Sequence, residues 1–145
     1  METNEAELRD RLKRDANQVQ AQHRRLVPIF EALSCALASG ASRDAQTAVF
    51  RLEGAVKAHF LLEEEIVFPV ICGLYPQYRA ELEALVEEHR GLGAGLQTVI
   101  DQVLEAQHQL AARSLESFRL VVKDHEYREE ALLKALDSVP SERTL

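Results

Sequence analysis

Residues 56–68 read VKAHFLLEEEIVF, and residues 122–134 read VKDHEYREEALLK. Both stretches contain the pattern Val-Lys-X-His-X-X-X-Glu-Glu, inside segments that otherwise have the apolar spacing of a buried helix face. Residues four apart lie on one face of a helix, so the His and the first Glu of each stretch project from the same side. The chain therefore repeats one polar pair in two segments that are predicted to be helices.

The sequence around these stretches predicts four long helices. Gly and Pro are scarce, and the segments between them are rich in Leu, Ala, Glu, Gln and Arg, which favour helix. In each segment apolar residues recur with three-and-four spacing, as on helices that pack at shallow angles. The breaks fall at ASGAS (38–42), CGLYPQ (72–77) and, more weakly, LAARS (110–114). The predicted helices span roughly residues 5–38, 43–72, 76–109 and 113–137.

The connections between these segments are short, which favours antiparallel neighbours. We therefore predict an all-α fold, an antiparallel up-down-up-down four-helix bundle, that occupies residues 1–145 as a single domain. An open coiled-coil rod is the alternative, and the turn signals between the segments disfavour it.

Composition and charge exclude several classes of protein. Of the 145 residues, 46% are hydrophobic and 28% are charged, which is typical of a globular chain. The net charge of -7 argues against nucleic acid as a partner. No apolar run approaches a membrane span, and the start, METNEAELRDRLKR, is unlike a signal peptide. Cys35 and Cys72 form neither a CxxC pair nor a disulfide framework. We expect a cytoplasmic monomer or homodimer that binds neither nucleic acid nor membrane.

Each predicted helix has one apolar face, its seam, that should point into the core. Strongly polar residues interrupt each seam at a few positions. These residues are His23, His59, Glu63, His89, His125 and Glu129. His23 and His59 are 36 residues apart, as are His89 and His125, so the two halves are offset by 66 residues. The spacing indicates an internal duplication that would place the six residues in matched layers about a pseudo-two-fold axis.

Such residues in a core require partners. A buried, unpaired carboxylate is strongly unfavourable, and no Lys or Arg occupies the seams. Any one of the six residues, taken alone, is more simply a hydrogen-bonded core histidine or part of a solvated His–Glu pair. Six such residues at matching positions on four helices instead favour one or two bound cations. Imidazole and carboxylate ligands without thiolate suit iron, manganese, cobalt or zinc.

Other polar residues are not assigned to this layer. A solvated acidic face is expected for Glu64, Glu65, Glu87, Glu88 and Glu126, although Glu88 or Glu126 could act next to the layer. His108 belongs to no repeated pattern and is expected in solvent or near a turn.

The motifs resemble those of the hemerythrin-like, or HHE cation-binding, domain family. The matching residues are His23, HFLLEEEIVFP (59–69), EEHRGL (87–92) and HEYREE (125–130), and the resemblance covers nearly the whole chain. It implies a four-helix bundle around two iron ions with an oxo or hydroxo bridge, for which manganese, zinc or nickel could substitute. It also implies that Glu63 and Glu129 are bridging carboxylates. The terminal ligands would be His23, His59, His89 and His125.

The chain departs from the oxygen-carrying members of that family at two places. In those members the resemblance implies a His-X-X-X-His motif on the third helix. Here Leu85 and Gly93 stand four residues before and after His89, so the fifth histidine is missing. The oxygen carriers also place the last carboxylate five residues after its His, which would be Glu130. Glu129 fits the seam better, and Glu130 stays the alternative. The missing histidine leaves coordination positions for water, oxo, peroxide, dioxygen or nitric oxide.

The resemblance implies a di-iron protein that binds or processes dioxygen, peroxide or nitric oxide. Whether the chain is an enzyme stays open, and no residue is assigned a catalytic role. Two other interpretations remain. One is an iron sensor, store or donor without turnover, and the other is a purely structural bundle in which the six residues form a polar layer.

Overall fold

The computed structural model of the chain describes residues 4–137, and every regular element in that range is helical. In chain order the elements are α1 (Asn4–Ser39), α2 (Ser42–Leu62), a π-helical turn (Glu63–Val67), α3 (Phe68–Leu74), a 3₁₀ turn (Pro76–Tyr78), α4 (Arg79–Leu104) and α5 (His108–Asp137). The second long helix consists of α2, the π turn and α3, which follow one another without a break. None of the helices in this range is long and apolar enough to cross a membrane.

The four long helices pack as a bundle. Helix α1 contacts α2 and α5, and α4 contacts the same two helices. Only Gly40 and Ala41 separate α1 from α2, and α5 follows α4 after a similarly short turn. Connections this short make consecutive helices antiparallel. The predicted all-α, up-down-up-down four-helix bundle is therefore confirmed.

The core consists of two apolar clusters with a polar layer between them. In α1, Val19 belongs to one cluster and Leu26 to the other, and His23 lies between them. In α5, Val122 and Leu132 belong to different clusters in the same way. Burial of these apolar side chains stabilises the bundle on both sides of the layer.

A glycine closes the first long helix. Gly40 has a φ of 72°, a conformation that costs glycine little, and the N–H of Ala41 donates to the carbonyl of Ala36 at 2.9 Å. This is a Schellman motif. The predicted break at 38–42 therefore has a local physical cause.

The turn between the last two helices lies earlier than the sequence pattern indicates. Helix α4 ends at Leu104, not near residue 109, and α5 begins at His108, not near residue 113. The turn has the same Schellman geometry, with Ala106 at a φ of 58° and a bond of 2.9 Å from the Gln107 N–H to the Gln102 carbonyl. No Gly or Pro marks this turn, so the ordinary breaker signal is missing.

The π turn has an identifiable local cause. Pro69 has no N–H to donate to the carbonyl of Glu65. The N–H of Phe68 donates to the carbonyl of Glu63, five residues earlier, which widens the helix. Glu63 is the first residue of this wide turn, and π turns are frequent at functional sites. The related stretch of α5 around Glu129 is regular α-helix.

Candidate metal centre

The structure brings all six predicted residues into one buried layer. Each of the four long helices contributes one histidine, and Glu63 and Glu129 reach the layer from the second and fourth. Two groups could hold a metal ion, with their ligand atoms within 4.8 Å of one another. The first group is His23, His59, Glu63 and Glu129; the second is Glu63, His89, His125 and Glu129. The two glutamates therefore belong to both groups.

The distances within the groups are those expected between ligands of one ion. Nε2 of His23 lies 2.9 Å from Nε2 of His59 and 3.1 Å from Oε1 of Glu129. In the second group, Nε2 of His89 lies 2.9 Å from Oε1 of Glu63. Two atoms bound at right angles to one ion, each about 2.1 Å from it, are about 3 Å apart. The spacing therefore matches that of atoms that share an ion.

Each imidazole of the layer makes a hydrogen bond through its other ring nitrogen, Nδ1. The distances are 3.2 Å from His23 to Glu130, 2.7 Å from His59 to Gln22, 2.5 Å from His89 to Glu64 and 2.7 Å from His125 to Glu88. Carboxylate and amide oxygens can only accept, so Nδ1 donates in every case. In the neutral ring Nε2 then has a free lone pair toward the layer, which is the form that binds a metal.

The outer partners follow the offset of 66 residues that the sequence indicates. They form two related pairs, Glu64 with Glu130 and Gln22 with Glu88, and the histidines that they bind are related by the same offset. This agreement supports the internal duplication. One pair differs in charge, because Gln22 is a neutral amide whereas Glu88 is a carboxylate that also binds Arg128. Although burial opposes it, hydrogen bonds from Arg128 and His125 lower the pKa of Glu88.

The two inner carboxylates are not both charged in the metal-free layer. Burial, together with the nearby carboxylate of Glu129, raises the pKa of Glu63 from 4.5 to about 10. Burial also opposes ionisation of Glu129, but its interactions with Glu63 and His125 outweigh that effect and lower the pKa of Glu129. At neutral pH the two carboxylates of the metal-free layer therefore share one proton.

One proton does not satisfy this layer. Both carboxylate oxygens of Glu63 and of Glu129, and Nε2 of His89 and His125, are buried without a hydrogen bond. The 2.9 Å approach of His89 to Glu63 therefore lacks hydrogen-bond geometry. Buried polar atoms normally have partners, and bound cations would supply one to all of these lone pairs. The residues present fit a site for two ions of the kind that imidazole and carboxylate bind.

Of the two candidate carboxylates on α5, Glu129 is the one in the layer. Its side chain is 1% exposed, whereas that of Glu130 is 44% exposed. Glu130 accepts from Nδ1 of His23 on the outer side. This placement supports Glu129 as the inner carboxylate and gives Glu130 a supporting position.

The sequence was less informative outside the layer. Glu88 accepts a hydrogen bond from a layer histidine, as its position allows. Glu64 is exposed, as the solvated face predicts, and it also accepts a hydrogen bond from His89, which the sequence did not indicate. Gln22 is missed altogether, and its only signal is its position 66 residues before Glu88. His108 begins α5 and lies 3.1 Å from the hydroxyl of Ser42, outside the layer.

A four-helix bundle with a buried layer of imidazoles and carboxylates defines a class of helical metal-binding domains. Residues 14–136 match the family model described as Hemerythrin HHE cation binding domain, so the chain belongs to this family. None of the curated proteins and none of the solved structures compared with the chain matches it.

Proposed function

We propose that the chain holds two iron ions and binds or processes dioxygen, peroxide or nitric oxide. The observation that supports this best is that Glu63 and Glu129 belong to both four-residue groups. A carboxylate has two oxygens, so each glutamate could bind both ions. The remaining ligands would be His23 and His59 for the first ion, and His89 and His125 for the second ion.

When bound, iron supplies one-electron redox chemistry and open positions for a small ligand. The chain itself orients the imidazoles through their Nδ1 hydrogen bonds, and its apolar clusters exclude water from both sides of the layer. Leu85 and Gly93 stand where a fifth histidine would flank His89. Fewer protein ligands favour ligand activation or sensing over reversible carriage of dioxygen.

The test is the iron content and the ultraviolet–visible spectrum of iron-loaded protein, before and after the separate addition of hydrogen peroxide, dioxygen and nitric oxide. We expect about two irons per chain and near-ultraviolet bands that peroxide changes. The variant His59→Ala should lose iron. His108→Ala removes a histidine that lies outside the layer and should keep both ions.

The other outcomes distinguish the remaining functions. Bound iron whose spectrum responds to none of the three small ligands would indicate storage, sensing or donation of iron. Protein that takes up no iron, and whose melting temperature does not change when iron is added, would overturn the proposal and leave a structural bundle with a polar layer.

A further inference from the structure

A small cavity borders the layer. Its volume is about 10 Å³, roughly the room that one water molecule requires. The residues that line it form four pairs related by the 66-residue offset, and three pairs are chemically identical, such as Leu26 with Leu92. The fourth pair is Phe60 with Glu126. The cavity therefore lies between the two halves of the duplicated chain, which differ there at one position.

Phe60 belongs to the side of the second ion. Its ring stacks on the imidazole of His89, with the ring centroids 3.9 Å apart and the planes 11° from parallel. A phenyl ring offers no lone pair of the kind that a carboxylate or an imidazole gives to a metal ion. The duplicated position in the other half, Glu126, offers a carboxylate.

Glu126 belongs to the side of the first ion. Its Oε2 is buried without a hydrogen bond and lies 3.8 Å from Nε2 of His23, too far for a hydrogen bond. Glu126 is in neither four-residue group. Two atoms bound to one ion, each about 2.1 Å from it, are at most about 4.2 Å apart. Oε2 meets this limit with Nε2 of His23, but Glu126 does not lie within 4.8 Å of all the ligand atoms of the first group. To bind the first ion, the side chain of Glu126 therefore has to turn toward those ligands.

We propose that Glu126 is a seventh protein ligand and that it binds the first ion alone. This inference rests on the proposed function. It makes the two ions inequivalent, because the first ion gains a carboxylate and the second ion has Phe60 at the related position. The second ion, with fewer protein ligands, is then the one that takes a small exogenous ligand.

Titration of the metal-free protein with cobalt(II) tests this assignment. Calorimetry gives the affinity of each step, and visible absorption of cobalt reports its coordination number. The wild-type protein should bind two ions in steps of unequal affinity. Glu126→Gln keeps the shape of the side chain and removes its charge, so it should weaken the tighter step by at least about tenfold and leave the other step unchanged.

Two matched variants sharpen the test. Phe60→Glu supplies a carboxylate to the second ion and should tighten the weaker step, so that the two affinities converge. Glu116→Gln changes an exposed glutamate of the same helix, about 15 Å away along its axis, and should change neither step. Circular dichroism establishes that each variant folds, and Glu126→Phe, which copies the related position, removes the ligand in a second way.

The outcomes separate this inference from the proposed function. If both variants at position 126 bind cobalt as the wild type does, in affinity and in absorption, Glu126 is not a ligand and the site for two ions stands. If the wild-type protein itself binds neither cobalt nor iron, the proposed function fails and the inference fails with it.

Discussion

At the scale of single residues, Glu129 connects the two halves of the centre. Its Oε1 lies 3.1 Å from Nε2 of His23, and its Oε2 lies 3.2 Å from Nε2 of His125. One carboxylate therefore faces an imidazole of each group. Glu130, the next residue, accepts a hydrogen bond from the outer nitrogen of His23.

Substitution of these two neighbours should give different losses. Glu129→Gln removes a ligand of both ions and should leave at most about one ion per chain at saturating cobalt. Glu130→Gln changes only a partner of His23, so the number of ions should stay the same while the affinity falls about 10–100-fold. Metal analysis after removal of free cobalt gives the number of ions, and calorimetry gives the affinity. If Glu130→Gln lost a bound ion and Glu129→Gln lost only affinity, Glu130 would be the inner ligand.

The charge of the outer partners should tune the two ions separately. A carboxylate that accepts the Nδ1–H makes the imidazole a stronger ligand than an amide does. Glu88→Gln should therefore weaken the second ion about tenfold, and Gln22→Glu should strengthen the first ion. Calorimetric titration with cobalt measures both changes, with Glu116→Gln as the control. Unchanged affinities in both variants would mean that the charge of the partner has no effect at this site.

The layer residues were predictable from the sequence, and so was a position next to the layer for Glu88, whereas the outer partners Gln22 and Glu64 were not. A His or Glu within an apolar seam is conspicuous because every neighbour on that face is buried. Gln22 and Glu64 lie on faces that reach solvent, where polar residues are ordinary. Only the 66-residue offset from Glu88 and Glu130 distinguishes them, and the offset becomes informative once the hydrogen bonds are known.

At the scale of helices and turns, boundaries were predictable where Gly marks them. Gly40 supplies the left-handed residue that ends α1. Ala106 occupies the position 66 residues later and has the same left-handed conformation without the freedom of glycine. The sequence therefore predicts this break too late in the chain, because an alanine in that conformation carries no sequence signal.

The same comparison predicts a stabilising substitution. Ala106→Gly should raise the free energy of unfolding by about 1 kcal/mol. The left-handed conformation costs an L-residue about 1–2 kcal/mol, and glycine avoids this cost. Part of the gain is lost because glycine has more conformational entropy in the unfolded chain. The melting temperature should rise by about 4 °C. Gly40→Ala should lower it by a similar amount. Thermal unfolding at equal metal content measures both, and a lower melting temperature for Ala106→Gly would contradict the account of this turn.

At the scale of the whole molecule, the apolar clusters and the layer between them act on stability in opposite directions. Leu33 and Ile71, fully buried in different clusters, represent the apolar packing that holds the bundle together on each side. In the layer Glu63 is completely buried. A buried negative charge destabilises the fold unless a proton or a bound ion neutralises it. The repeated apolar seams made the bundle predictable, but the proton balance of the layer depends on distances that no sequence pattern contains.

Metal removal should therefore make stability depend on pH. In the metal-free fold Glu63 keeps its proton up to about pH 10, whereas in the unfolded chain it ionises near pH 4.5. Between these values unfolding releases a proton, so the free energy of unfolding falls as pH rises, by up to about 1.4 kcal/mol per pH unit. A bound ion replaces that proton, so the difference in melting temperature between zinc-loaded and metal-free protein should widen from about pH 6 to about pH 9. Glu63→Gln, which stays neutral, should remove the larger part of the slope from the metal-free protein. A smaller part should remain from His125, because burial opposes its protonation but its interactions with Glu129 and Glu88 outweigh that effect and raise its pKa. A slope that is unchanged in this variant would assign the lost proton to a group other than Glu63.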